Sequence, residues 1–216
     1  MGQGMKVSAM RGVRHSLWAV VVAAISAPVV LLVVLVRNRS GYPMSFMTRD
    51  PTAVAGVPAY CGMLSNLGVL GWCTASATCL FTSTVVKPRS RDAEFLKAAG
   101  LFSLWLGIDD LFLMHETVLP SLLHVHEKVV VASYMLVLGC LLVRHRETIR
   151  TSDYRPLLGA LGFFLGSVVI DTRLPFVGEP LPFHVSTAVE DMLKFVGIVC
   201  WMVYFWNVSR EAVART

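Results

Sequence analysis

The chain has 216 residues, of which 55% are hydrophobic and 15% are charged, and its mean hydropathy is +0.64. Soluble domains average about 25% charged residues, so this composition argues against an ordinary soluble protein and indicates a membrane protein. The net charge of +5 is spread between apolar blocks rather than along one patch. That distribution is typical of membrane topology signals and argues against a nucleic-acid-binding surface.

Six apolar segments follow one another, separated by polar connections that carry Lys, Arg, Pro and Gly. About 20 residues of apolar helix cross the hydrocarbon core of a bilayer. The sequence therefore predicts an all-α, polytopic integral membrane protein, a bundle of six transmembrane helices between a basic N-terminal tail (1–16) and a short C-terminal tail (209–216). The predicted spans are residues 17–36, 60–86, 94–114, 120–143, 156–172 and 185–208.

The first span has an alternative interpretation as a signal peptide. Residues 24–27 are rich in small side chains, as cleavage sites are. However, the apolar run continues past Pro28 to Val36, whereas the apolar core of a signal peptide is about 7–15 residues long. We therefore favour a retained helix.

The fourth span is the least regular of the six. Its apolar part, from Val129 to Val143, is short for a bilayer crossing. It reaches a useful length only if the helix begins near Pro120, and proline is favoured at the first position of a helix. We expect one helix over 120–143, with His124 and Glu127 in its first turns.

The charged connections predict the orientation. Six spans place both termini on one side, and the connections on that side hold most of the Lys and Arg residues, although Arg37 and Arg39 lie on the other. Cytoplasmic loops are enriched in Lys and Arg, so both termini are predicted to be cytoplasmic. The expected location is the inner or plasma membrane, with several passes.

Ionisable residues inside the spans are the strongest functional signal. Such a residue in a lipid-facing helix costs about 2.5–3.5 kcal/mol, so it normally faces partners inside the bundle. The predicted topology places the polar residues of five helices at one depth, on the extracytoplasmic side. These residues are Ser65, Asn66, Asp109, Asp110, His115, Glu116, His124, Glu127, Asp171, Glu190, Asp191 and Lys194.

Helical spacing supports this convergence. Asp109 and Glu116 are seven residues apart, so they share a helix face two turns from each other. Glu190 and Lys194 are four residues apart, a spacing that brings side chains together. Lys194 is also too deep in its helix to be left without a partner.

Imidazole and carboxylate groups together favour a divalent metal ion such as Zn, Fe or Mn. Several carboxylates in one place need a metal ion or protons to neutralise them. The alternatives are a proton-titrating network and a purely structural network that fixes helix packing. No HExxH, HxxxH, ExxH or GxSxG motif is present. The predicted metal ligands are Asp110, His115, His124, Asp171 and Glu190.

The expected function is that of a metal-dependent membrane-embedded enzyme, hydrolytic or redox, acting on a lipid or another amphipathic substrate. Glu116 or Glu127 is the expected general base, and Lys194 is expected to stabilise negative charge or to orient Glu190. Asp109, Asp191, Ser65 and Asn66 are expected to support the site. The alternative functions are an accessory or assembly subunit of a membrane complex and a proton- or ion-coupled transporter. The alternative partners are another subunit of such a complex or further copies of the chain.

Overall fold

The computed structural model describes residues 2–171 and 183–215, with their side chains over 20–171 and 185–215. All secondary structure in the described residues is helical, which confirms the all-α prediction. The chain divides into two compact units, Met1–Cys61 and Gly62–Thr216.

The first unit contains one long and two short helices: α1 (Gly2–Ser40), α2 (Met44–Thr48) and α3 (Pro51–Ala55). The helix α1 is longer than the predicted span, because it continues through the segment expected to be a tail. The most apolar 18 residues within Val20–Ser40 have a mean hydropathy of 2.7, and none of them is buried. The side chains of residues 1–19 lie outside the described ones.

The second unit holds the remaining helices. They are α4 (Met63–Val85), α5 (Arg91–Phe112), a π-helix (Met114–Val118), α6 (Leu119–Leu123), α7 (Glu127–Arg144), α8 (Arg146–Thr151), α9 (Arg155–Asp171) and α10 (Phe183–Ala214). The helices α4, α5, α7, α9 and α10 fall on the second to sixth predicted spans. The end of the fifth span at residue 172, and the Pro-rich connection up to residue 182, lie outside the described residues.

Two of the described helices are long and apolar enough to cross a membrane, Val20–Ser40 and Met63–Val85. A third crossing is added if Met114–Leu123 and Glu127–Arg144, bent by 112°, form one broken span. Helices capable of spanning a membrane are therefore present, whereas the six-span arrangement and the sides of the termini stay predictions.

The start of α5 follows from the local sequence, whereas its end does not. Ser90 caps its start by accepting a hydrogen bond from the N–H of Ala93 at 3.1 Å, and Asp92 and Glu94 lie in the first turn, where the helix dipole favours negative charge. The helix ends at Leu113, which adopts a left-handed conformation with φ of 51°. This conformation is uncommon for a residue with a side chain, and it turns the chain sharply into the π-helix.

The single helix expected over 120–143 is interrupted in the structure. His124 has φ of 56° and ends α6, and His126 is extended and caps α7. The Nδ1 atom of His126 accepts a hydrogen bond from the N–H of Lys128 at 3.2 Å. The helix expected to start near Pro120 therefore starts at Glu127 after a sharp bend.

The core of the second unit lies between α4, α5, α9 and α10. The helix α4 packs against α5 and α10, and α9 packs against α10. Glycines permit the closest approaches: a Cβ atom on Gly100 would lie 2.8 Å from the side chain of Leu80, and one on Gly71 would lie 2.7 Å from that of Ile198. The helix α7 contributes Leu138 to the same core.

The two ends of this helix bundle differ in chemistry. We call the end where α4, α7 and α10 begin the acidic end, because the buried carboxylates lie there. At the opposite, basic end, Arg215 lies 3.1 Å from Asp92 and Arg144 lies 3.8 Å from Glu94. Other cations around that end are Lys87, Arg89, Arg91, Arg146, Arg150, Arg155 and Arg210.

Candidate functional site: a carboxylate-oriented histidine at the acidic end

Asp110 forms a buried ion pair that joins three helices. The Nζ atom of Lys194, on α10, lies 2.6 Å from Oδ1 of Asp110. The indole N–H of Trp72, on α4, donates a hydrogen bond to the other carboxylate oxygen at 2.8 Å. Only 7% of the Asp110 side chain is exposed. Both oxygens therefore have partners, as a buried carboxylate requires.

Asp109 forms a second and separate set of hydrogen bonds. Its Oδ1 atom accepts hydrogen bonds from the Tyr134 hydroxyl at 2.9 Å and from the backbone N–H of His115 at 2.8 Å. Its Oδ2 atom lies 2.5 Å from Nδ1 of His115. The turn at Leu113 makes this possible, because it brings the first free N–H groups of the π-helix back over the end of α5.

The two neighbouring carboxylates serve different partners because consecutive residues of a helix point about 100° apart. Asp109 faces α7 and the π-helix, whereas Asp110 faces α4 and α10. A single turn of α5 therefore carries two buried acids, each with its own positively charged or hydrogen-bonding partners.

His115 is oriented by its carboxylate. A neutral imidazole that donates from Nδ1 to a carboxylate leaves Nε2 as an acceptor, which is the arrangement in which histidine acts as a base. The Nε2 atom lies 3.6 Å from Oε1 of Glu116, whose side chain is about half exposed. The histidine is itself largely buried, so this nitrogen lies between the protein interior and the surface.

These groups surround one cavity of about 140 Å³. Its polar lining includes Asp109, Asp110, His115, Tyr134, Ser167, Asp171, Glu190 and Lys194. The remaining lining is apolar and includes Trp72, Phe102 and Phe164. A smaller cavity of about 30 Å³ also borders Asp110 and Lys194, and Ser65 and Asp191 line it. Five α-helices and the π-helix thus contribute side chains to this end of the bundle.

Six predicted residues do not line the larger cavity, and two of these, Ser65 and Asp191, line the smaller one. Glu116 is exposed but adjoins His115, whereas His124, Glu127 and Asn66 are exposed and line neither cavity. The bend between α6 and α7 explains the position of His124 and Glu127, because it turns both away from the bundle. The two residues therefore do not share the first turns of one helix.

The divalent metal ion stays a prediction. Among the described residues, no three or more His, Cys, Asp or Glu side chains are close enough to hold a metal ion. The oxygens of Asp109 and Asp110 already accept hydrogen bonds or an ammonium contact. Lys194 and hydrogen-bond donors, among them the Nδ1 atom of His115, therefore compensate the charges of Asp109 and Asp110.

Sequence reasoning missed two residues that hold the acids, Trp72 and Tyr134. Trp72 lies seven residues after Ser65 and so shares its helix face. Tyr134 lies seven residues after Glu127 and carried no motif. In both cases the available signal was a polar aromatic side chain seven residues along the helix from a predicted polar residue.

An aromatic layer closes the cavity toward the middle of the bundle. The ring of Trp72 stacks on Phe164 with centroids 5.7 Å apart and contacts Trp201 edge-on at 6.0 Å. Trp201 contacts Phe205 at 4.8 Å and donates a hydrogen bond to the Ser103 hydroxyl at 2.9 Å. Below them, buried Phe95 and Tyr204 continue the layer toward the basic end.

A buried histidine at the basic end packs against an aromatic side chain of the core. His145 is 8% exposed, and its ring lies 5.2 Å from that of Phe95. Burial lowers the pKa of His145 below its ordinary value, and the positive charge of Arg144 lowers this pKa further. The surroundings of His145 therefore favour its neutral form.

Fold and site together define an all-helical protein whose buried acids, histidine and lysine surround one cavity at one end of the bundle. The chain belongs to the family described as "Domain of unknown function (DUF8692)", whose model matches residues 15–208. No curated protein and no solved structure matches the chain.

Proposed function

We propose that the chain is a multi-pass membrane enzyme in which His115 acts as a general base on an amphipathic substrate at the acidic end. The observation that carries this proposal is the contact between Nδ1 of His115 and the buried carboxylate of Asp109. An imidazole held in this way directs its second nitrogen to accept a proton.

We assign α5 and α10 to the membrane because their buried charged residues have partners inside the bundle. The helices α5 and α10 carry Asp109, Asp110 and Lys194, which makes them too polar by composition for bilayer crossings. Because these charges are paired inside the bundle, they are not presented to lipid. We therefore propose that α1, α4, α5, α7, α9 and α10 are six spans, with the basic end and both termini on the cytoplasmic side.

The proposed reaction is hydrolysis of a carboxylic ester or amide of a lipid. His115 Nε2 accepts a proton from water, and the water oxygen forms a bond to the carbonyl carbon. Lys194, which lines the cavity, stabilises the negative charge that develops on the carbonyl oxygen. The bond to the leaving alcohol or amine then breaks, and the leaving group takes the proton back from His115. Glu116, at the exposed side of the ring, exchanges protons with water.

Two alternatives have less support. A proton- or ion-coupled transporter needs a path to the other side of the membrane, and the buried layer around Trp72 and Trp201 separates the cavity from the basic end. An assembly subunit would present its polar residues on an outer face. Asp109 and Asp110 instead have their partners within the bundle.

The test is hydrolysis in water labelled with ¹⁸O. Full-length protein in nanodiscs is incubated with a total membrane lipid extract, and lipid products are analysed by mass spectrometry. We expect ¹⁸O-labelled carboxylic acid from the wild type and at least a hundredfold less from His115→Gln, because a positioned general base contributes about 10²–10⁴-fold.

The matched control is His126→Gln, since His126 is an exposed histidine on the next connection and does not line the cavity. We expect His126→Gln to behave as the wild type does. Absence of label with the wild type, or equal labelling with His115→Gln, would contradict the proposal.

A further inference from the structure

The helices α5 and α7 contact each other at both ends and leave a groove between. Near the acidic end, the rings of Trp105 and Tyr134 meet with centroids 6.2 Å apart. Near the basic end, Arg144 lies 3.8 Å from Glu94. The groove between these contacts has a volume of about 860 Å³, within the range of about 300–1,000 Å³ typical of small-molecule sites.

The walls of the groove are apolar stripes on the two helices. On α5, Ala98, Leu101 and Phe102 follow one another at helical spacing, and on α7 Val137 and Cys140 do the same. From Glu94 to Trp105 the groove runs for roughly 16 Å at about 1.5 Å per residue. A long, narrow apolar groove of this kind fits a hydrocarbon chain.

Charge is confined to one end of the groove. Lys97 and Arg144 line the basic end, where Glu94 is the single carboxylate of the lining. The surroundings of His145, which lies beside them, favour its neutral form. At the other end, the polar lining consists of the hydroxyls of Ser133 and Tyr134. The complementary ligand therefore has a negatively charged head and an apolar tail.

We propose that this groove binds an anionic membrane phospholipid, with one acyl chain between α5 and α7 and the phosphate at Lys97 and Arg144. Phe102 and Tyr134 line both this groove and the cavity of the candidate site, so the end of the acyl chain reaches the wall of that site. The proposal is independent of hydrolysis, because a bound lipid needs no reaction to occupy the groove.

The first test is native mass spectrometry of the full chain released from nanodiscs of phosphatidylcholine containing phosphatidylglycerol. We expect the wild type to retain phosphatidylglycerol. Val137→Trp fills the groove and is expected to lose most of this lipid, whereas Leu136→Trp, an exposed position beside it, is expected to retain it. Likewise, Lys97→Gln is expected to lose the lipid and Lys87→Gln, outside the groove, to keep it.

Equal retention by Val137→Trp and Leu136→Trp would overturn the groove as the site. Equal retention by Lys97→Gln and Lys87→Gln, or retention of phosphatidylcholine as strongly as phosphatidylglycerol, would overturn the anionic headgroup. None of these four substitutions removes a residue of the ion pairs at the acidic and basic ends. Circular dichroism of each variant, compared with that of the wild type, monitors misfolding.

A second measurement identifies the occupant directly. With Cys61→Ser and Cys73→Ser, Cys140 is the one exposed cysteine left in the described residues, and it lines the groove. A benzophenone attached to Cys140 and activated by light in the same nanodiscs is expected to cross-link to phospholipid. Cross-linking to the chain's own first helix, or to a second copy of the chain, would overturn the proposal.

Discussion

Lys194 and Asp110 are 84 positions apart in the chain, and yet the ammonium of one lies 2.6 Å from the carboxylate of the other. This contact ties α10 to α5 at one depth in the bundle. The indole of Trp72 adds α4 to the same point. Three helices are therefore held in register by a single carboxylate.

Removal of one member of this pair is expected to be costly. Lys194→Met leaves Asp110 buried without its counter-ion, and we expect a loss of about 3 kcal/mol in the free energy of unfolding. In the double variant Asp110→Asn with Lys194→Met, both charges are absent, so the loss is expected to be smaller than that of Lys194→Met alone. The coupling energy is obtained from the free energies of unfolding, measured in detergent, of the wild type, the two single variants and the double variant. Additive effects would show that the two residues do not interact.

The two buried indole hydrogen bonds offer a matched comparison. Trp72→Phe removes a donor to a carboxylate, a bond worth about 1.5–3 kcal/mol, whereas Trp201→Phe removes a donor to a neutral hydroxyl, worth about 0.5–1.5 kcal/mol. We therefore expect Trp72→Phe to be the more destabilising variant. The measurement is the midpoint of chemical unfolding, followed by circular dichroism. The reverse order would show that the indole of Trp72 is not bonded to a charged Asp110.

Glycine packing between α4 and α5 gives a third prediction. Gly100→Ala would place a Cβ atom 2.8 Å from the side chain of Leu80, and overpacking of this kind costs about 1–3 kcal/mol. Gly139→Ala, on α7, meets no atom within 4 Å and is expected to stabilise the helix by up to about 1 kcal/mol. Opposite shifts of the thermal unfolding midpoint are expected. A stabilising Gly100→Ala would contradict the close approach of α4 and α5.

A fourth prediction concerns pH. The pKa of His145 is lowered in the folded protein, so the folded state favours its neutral form. Stability from this residue is therefore fully present above the unfolded value of about 6.5 and is lost as pH falls through the lower folded pKa. We expect the thermal unfolding midpoint to fall between about pH 7 and pH 5. His145→Phe keeps a ring beside Phe95 and is expected to reduce that fall. An unchanged pH profile in His145→Phe would contradict this prediction.

Sequence periodicity and composition predict where the helices form but not where they are interrupted. The apolar runs predicted α4 and α5 within a few residues, because length and hydropathy decide where such helices form. The break at His124 was not predicted, since it depends on a left-handed residue other than glycine. Such a conformation is stabilised by the surrounding structure rather than by local sequence.

The sequence predicts which acidic and basic residues line the candidate site, but it does not predict which residues they contact. The cost of burying charge indicated that Asp109, Asp110 and Lys194 face inward, and all three line the cavity. The choice of Tyr134 and Trp72 as partners depends on the rotation of each helix about its axis. That rotation is set by packing such as the contact of Trp72 with Phe164, which a single sequence does not encode as a visible pattern.

The most direct test of the central claim, that Asp109 orients His115 as a base, is the protonation of the imidazole nitrogens. It is measured by ¹⁵N nuclear magnetic resonance of histidine-labelled protein at about pH 9, well above the ordinary imidazole pKa. The His115 resonances are assigned by their loss in His115→Gln. We predict a proton on Nδ1 and none on Nε2 in the wild type, and loss of this preference in Asp109→Asn. A proton on Nε2 of His115, or the same spectrum with and without the Asp109 carboxylate, would contradict it.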